Sequence, residues 1–281
     1  MNRERGVALI SVLLVLSLAL LFTGGMLRSH RLLLHGTAQQ LQQLPLRQLG
    51  LAGEAWAQKR LDSSASAPGP VGLHQDWARL ESAFEAQDAR IRIDIQDQSG
   101  RMNLNALLEH GQVDEVSLKR WKRLLSLLGL PELSLPQVGS VQELSQLRLL
   151  PGIDGPTLER LEPWVALLPR EARLNVNTAP RLLLMTLDGI DAGTVEALAG
   201  QRLEAPFPSA QAFANDPLLS GLGISSHGLG VGSRWFRITV DVDRAGSRLR
   251  LASDIERDPD TQRWMVRQRR FLPISSPSEP L

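Results

Sequence analysis

The chain has 281 residues, 43% of them hydrophobic, and 31 Lys plus Arg against 30 Asp plus Glu leave a net charge of +1. That length can bury one large core or two modest ones, while the near-zero charge excludes a global field steering the molecule onto nucleic acid or an acidic surface. The absence of cysteine excludes a disulfide framework, a thiolate zinc site and a thiol nucleophile, and His30, His35, His74, His110 and His227 lack the HxxxH or HxH spacing that metal catalysis would use.

The first six residues, MNRERG, carry Arg3 and Arg5 and run directly into VALISVLLVLSLALLFTGGML, where no residue from Val7 to Leu27 is charged. At 1.5 Å per residue, a helix of that length spans roughly 31 Å, the thickness of a bilayer's hydrocarbon core. Residues 7–27 are therefore read as a transmembrane helix. The preceding arginines keep the N-terminus cytoplasmic and send residue 28 onward outside. A secretory signal peptide would have a shorter apolar core and a small-x-small cut site, and FTGGMLRSHRLLLHG supplies no such site. Leu, Ala, Gln and Arg at helical spacing continue the helix over residues 28–62, with a kink or short break expected near Gln43 to Pro45 and an end near Asp62. The Ser, Pro and Gly of DSSASAPGPVG then read as a loop.

A short basic leader ending in glycine, followed by an apolar helix that continues beyond the membrane, resembles the type IV pilins and type II secretion pseudopilins. The resemblance implies that residues 1–6 are a leader, that a prepilin peptidase cuts between Gly6 and Val7, and that the new amine of Val7 is methylated. In most of that superfamily the fifth residue after the cut is a glutamate, which pairs with the N-terminal amine of a neighbouring subunit; counted from Val7, that position is Ser11 here. An ionised carboxylate inside a bilayer costs on the order of 3 kcal/mol and is retained only where it meets a partner. A subunit without it suits the filament tip, where no subunit lies ahead.

Next along the chain, RIRIDIQDQSGRMNLNALL alternates Ile91, Ile93 and Ile95 with Arg92, Asp94 and Gln96, a half-buried strand that turns at Asp97 to Gly100. Asn105 is placed to cap a helix beginning at Ala106. With SVQELSQLRLLPGIDGPTLERLEPWVALLP and RLNVNTAPRLLLMTLDGIDAGTVEAL, this stretch is similar to the minor pseudopilin K family of type II secretion systems, whose members also typically lack the glutamate. Gly100, Asn103, Asn105, Asn175 and Asn177 are read as turn and capping residues that build the fold rather than as ligands. Asp94 and Asp97 lie in a strand-turn context without a nucleophile or histidine, so no catalytic pair is assigned.

LLPGIDGPTLERL and TLDGIDAGTVEAL also resemble helix-hairpin-helix repeats, and LNVNTAP before the second strengthens a likeness to bacterial DNA-uptake receptors. In a DNA-binding hairpin, glycine amides approach phosphate with basic side chains nearby. Here Asp154 and Asp191 stand where a second glycine is expected, and residues 104–200 hold 9 Lys plus Arg against 12 Asp plus Glu, a net of −3. A single-pass, membrane-anchored DNA receptor is thus the alternative, with no nucleic acid in the main reading. SGLGISSHGLGVGSRWF is glycine-rich but leads into a strand rather than a helix and lacks Gly-Lys-Ser/Thr, and Ser226 beside His227 is mere adjacency. No enzyme is expected.

The C-terminal stretch places Phe236, Ile238, Val240 and Val242 at period two, turns at RAGS, forms a second strand from Arg248 to Glu256 and a third after DPDT. Arg234 to Arg270 holds ten Arg against six acids, a locally basic strand face. The expected fold is α+β: a pilin-like long N-terminal helix packed on an antiparallel sheet, with an inserted all-helical domain. The expected organisation is 63–103 for the first part of the sheet, 104–216 for the insert, 217–272 for the C-terminal strands and 273–281 for a disordered tail.

The resemblance implies a non-enzymatic tip subunit that helps start a periplasmic pseudopilus. Its partners would be the I- and J-type minor pseudopilins, the prepilin peptidase and the inner membrane, with no cofactor. The family's calcium-associated acidic insertion is matched only by LGLPELSLPQVGSVQEL with Glu132 and Glu143, too few carboxylates for a hard cation, so no metal is expected.

Overall fold

The computed structural model describes residues 3–65, 69–80, 83–109, 112–133, 141, 143–149 and 152–272; the side chains of residues 3–12, 15, 27, 29–42, 64–65, 108–109 and 112 lie outside that description, as does the expected tail, 273–281. Helix α1 (Arg3–Ala65) runs 63 residues and continues without a break through Pro45, where sequence predicts a kink or short break. Proline removes one backbone donor, and the packing of Leu46, Leu49, Ala57 and Leu61 on the sheet holds the C-terminal part of the helix in place. Among the described residues no helix is long and apolar enough to cross a membrane. The side chains of residues 7–12, 15 and 27 of the apolar run lie outside them.

The sheet has five antiparallel strands in sequence order: β1 (Phe84–Ala86), β2 (Ala89–Asp97), β3 (Trp235–Arg244), β4 (Ser247–Arg257) and β5 (Trp264–Leu272). Strand alternation sends Ile91, Ile93 and Ile95 of β2 and Phe236, Ile238, Val240 and Val242 of β3 to the same face, where they bury against α1. Two-residue turns join β1 to β2 at Gln87 and Asp88 and β3 to β4 at Ala245 and Gly246, all four at positive φ, as tight hairpins of this twist require.

Between β2 and β3, which pair directly with Asp97 opposite Phe236, the chain leaves the sheet and returns. The excursion forms a second core running from Met102 to Leu229. It holds α2 (Glu115–Leu127), α3 (Gly155–Leu161), α4 (Arg181–Leu184), α5 (Ala192–Glu204) and α6 (Ala210–Ala214). Sequence reading ends this insert at Asp216, but Leu219, Ile224 and Leu229 pack in the helical core, and the sheet resumes only at Trp235. These residues recur every five positions, which matches neither helical nor strand periodicity.

Two units of the insert share one design. In the first, Met102–Asn103 pairs in parallel with Val165–Ala166, the Asn103 side chain accepts from the Asn105 amide at 3.1 Å, and Asn105 clamps the backbone of Val141 in both directions at 3.0 and 3.1 Å. In the second, Leu174–Asn175 pairs in parallel with Leu229–Gly230, Asn175 accepts from the Asn177 amide at 3.1 Å, and Asn177 clamps Phe207 at 2.8 and 3.0 Å. Asn105 is therefore not a helix cap: it sits inside a 3-10 turn, Leu104–Leu107, and spends its side chain on a segment 36 residues away. Short-range capping rules do not see such a partner.

Candidate assembly interface

N-terminal to the stripe buried on the sheet, the described apolar side chains of α1 are exposed on all sides. Leu13, Leu14, Leu16, Leu18, Leu20, Leu21, Phe22 and Met26 are 51% to 74% exposed, and further along Leu44 and Leu51, seven residues apart, continue the apolar surface beside the sheet. Clusters of this size on one helix mark a surface that another apolar surface covers. Gly6, Val7 and Ser11 lie on α1, but their side chains are outside the described residues.

Aromatic side chains extend the exposed apolar surface onto both sheet edges. On one flank, exposed Trp56 meets exposed Phe84 of β1 with ring centroids 6.0 Å apart; on the other, Arg47 lies over Phe271 of β5 at 5.0 Å. The helix is pinned between these flanks by a carboxylate that sequence reading missed. Glu54 is buried and receives Arg269 of β5 at 2.7 and 2.8 Å, together with the hydroxyl of Ser253 on β4. Burial alone would raise the Glu54 carboxyl, but the hydrogen bonds and charge of Arg269 and the Ser253 hydroxyl outweigh it and hold the group below the usual glutamate range. The only sequence signal was a charge four residues after Gly50 and three before Ala57, on the face that carries Leu46, Leu49 and Leu61.

Asp97 and Gly100 lie where the two cores join. Gly100 packs so closely on Thr178 that a Cβ would sit 2.9 Å from its hydroxyl. Asp97 accepts from the Ser99 amide at 2.8 Å, Asn175 at 2.9 Å and Thr178 at 2.6 Å, and Asn175 also donates to the Val71 carbonyl at 3.0 Å. Complete burial pushes the Asp97 carboxyl up despite these donors, none of which is charged. Asp94 projects from the opposite face of β2, so the two aspartates do not form a pair.

The helix-hairpin-helix segments show what became of the DNA-like motif. Gly152 and Gly189 hold positive φ at 86° and 76°, and Asp154 and Asp191 cap α3 and α5 by accepting from the amides of Thr157 and Thr194 at 2.8 and 2.9 Å. Hydrogen bonds from Thr157 and Thr194 keep both carboxylates below their ordinary pKa. Each hairpin thus presents a fixed negative charge where phosphate would approach, and its amides already have acceptors. Glu132, in the stretch matched to the family's calcium-associated insertion, pairs with Lys122 at 2.5 Å and Glu143 accepts from Ser145, while residues 134–140 lie outside the described residues. Among the described residues no three His, Cys, Asp or Glu side chains gather closely enough to hold a metal ion.

A family model described as type II secretion system protein K matches residues 174–232, the whole of the second Asn-x-Asn unit. The chain is 29% identical to type II secretion system protein K of Pseudomonas aeruginosa over 92% of its length and 90% of the relative's. The chain is thus similar to the protein K family of type II secretion systems. A Klebsiella pneumoniae protein K is 27% identical across 96% of this chain and 97% of its own. The fold matches a chain in the crystal structure of the GspK-GspI-GspJ complex from the type 2 secretion system of enterotoxigenic Escherichia coli, with a TM-score of 0.67 at 19% identity over 85% of this chain and 99% of that one. The α+β architecture expected from sequence is the one this structural relative shares.

Proposed function

We propose that the protein is the minor pseudopilin at the tip of a type II secretion pseudopilus, where it helps initiate assembly. The observation that carries the reading is the long helix whose C-terminal part is buried on the sheet while Leu13 to Met26 among the described residues, and Leu44 and Leu51 beside the sheet, stay exposed, flanked by Trp56 and Phe84. That face is suited to apolar helices of I- and J-type minor pseudopilins, and the structural relative was solved in a GspK-GspI-GspJ complex. The helical insert rises from the facing ends of β2 and β3, a place where its bulk obstructs a further subunit above.

Supporting the membrane part of the reading are the uncharged run Val7–Leu27 and its arginine leader, which give an inner-membrane, single-pass subunit with a cytoplasmic N-terminus and a periplasmic bulk. Prepilin peptidase cleavage between Gly6 and Val7, with methylation of Val7, follows from the leader. Mass spectrometry of the membrane-extracted protein is expected to find N-methylated Val7 at the terminus, and retention of Met1 or a cut after Leu27 would refute it. Ser11 leaves no carboxylate for a subunit ahead, so Ser11→Glu is expected to be neutral or mildly harmful in a secretion assay.

The deciding experiment is co-purification of the full chain with I- and J-type pseudopilins of its own system. Leu44→Asp or Leu51→Asp should reduce recovery of partners roughly tenfold, since each buries a charge in the contact. Undiminished recovery would move the interface elsewhere. DNA binding gains no support: the capped hairpins carry Asp154 and Asp191 at the positions a phosphate would take.

A further inference from the structure

A cleft of about 620 Å³ opens in the helical insert between the start of α2 and the turn at residues 170–173. Its floor is Arg120, 9% exposed, whose guanidinium donates to the carbonyls of His227 at 2.7 Å and Ser225 at 2.9 Å. Those partners are neutral, so the buried charge has no carboxylate in direct contact. Arg170 and Arg173 line the rim, and among the described residues neither makes an ion pair or a side-chain hydrogen bond.

The two acids in the lining are both engaged. Asp114 caps α2 through the Ser117 amide at 3.2 Å and meets His227 at 3.1 Å, while Glu171 turns to Arg234 at 3.2 Å. Three guanidinium groups therefore converge on one cleft, two of them unspent, in a domain whose residues 104–200 carry a net charge of −3. A local positive spot in an otherwise negative surface selects anionic partners by position.

We propose that this cleft binds an extended acidic peptide segment of a protein partner. Planar guanidinium groups three residues apart suit two side-chain carboxylates in forked hydrogen bonds, and the cleft lies within the roughly 300–1,000 Å³ range of specific binding pockets. Apolar lining from Met102, Ala106 and Ala172 matches the aliphatic parts of such a segment and gives a bare inorganic anion nothing to fill. Duplex nucleic acid is too wide for the space and is repelled by the surrounding charge. The site is separate from the α1 face, so it stands whether or not the tip assignment does.

The test uses the full chain in detergent with a fluorescein-labelled Glu-Ala-Glu-Ala-Glu-Ala amide at physiological salt, read by fluorescence anisotropy. Saturable binding is expected, at least tenfold weaker for the Gln-Ala analogue and at least tenfold weaker for the Arg170→Ser, Arg173→Ser double variant, whose melting temperature should match wild type because both side chains are exposed. No saturation below about millimolar peptide, equal binding by the double variant, or displacement of the peptide by equimolar inorganic phosphate would each overturn the proposal.

Discussion

Glu54 shows how one side chain fixes the relation between helix and sheet. Replacing it with Ala strips Arg269 and the buried Ser253 of their acceptor, which should lower stability by about 2 kcal/mol, the half-exposed arginine recovering part of its solvation. Its folded-state pKa is depressed, so its stabilising contribution is complete above the unfolded value near 4.5 and is lost as pH falls through the lower folded value. Urea midpoints of wild type should therefore drop more steeply below about pH 4.5 than those of Glu54→Gln, and parallel curves would show the pair does not drive that slope. Asn177 makes a second residue-scale case. Fully buried and bonded to both backbone groups of Phe207, it should lose about 2–4 kcal/mol on replacement by Ala, more than Asn105→Ala at its half-buried site, with thermal denaturation giving the order. The sequence announced these asparagines as structural by residue type alone. Their partners, 30 and 36 residues away, follow from tertiary packing and have no local signature.

Elements were legible where periodicity was strong. The alternating isoleucines of β2 and the apolar residues of β3 reach the core by the period that predicted them, and the turns at Asp97 to Gly100 and at Ala245 and Gly246 fall at the expected residues. At Pro45 the short-break half of the expectation fails because the packing of the following residues on the sheet holds the helix together. Two glycines of α1 then separate propensity from packing. A Cβ at Gly53 would lie 2.7 Å from a methyl of Val240, whose β-branched side chain cannot swing away, so Gly53→Ala should destabilise by about 1–3 kcal/mol despite its better helix propensity. At Gly50 the nearest atom is a terminal methyl of Leu249 at 3.3 Å, a flexible neighbour, and Gly50→Ala should be neutral or stabilising by up to about 1 kcal/mol. Melting curves of the two variants should move in opposite directions; if both fall together, the helix sits closer to β4 than these contacts allow.

At the scale of the whole molecule, the helical insert interrupts what would otherwise be an ordinary antiparallel connection. Asp97 and Phe236 face each other in register, so the chain enters and leaves the insert at neighbouring points, the geometry that lets a domain be added to a hairpin without disturbing its strands. Among the described residues the helix-sheet core draws no buried member from the insert: its members run from Leu46 to Ile95 and from Phe236 to Ile255. Removing residues 98–234 and closing the gap with a short Asn-Gly turn should leave a folded α1-sheet module, once Asp97 is also changed to Thr because its buried acceptors would lose Asn175 and Thr178. If the insert is the cap, this shortened chain should still recover its I- and J-type partners, since Leu44, Leu51, Trp56 and Phe84 all remain, yet it should no longer end the filament. Electron microscopy of pseudopili assembled with gold-labelled short chain then separates the possibilities. Label distributed along filaments supports the insert as a steric stop, whereas label confined to one end would place the stop in the α1 module, with Ser11 rather than the helical domain defining the tip.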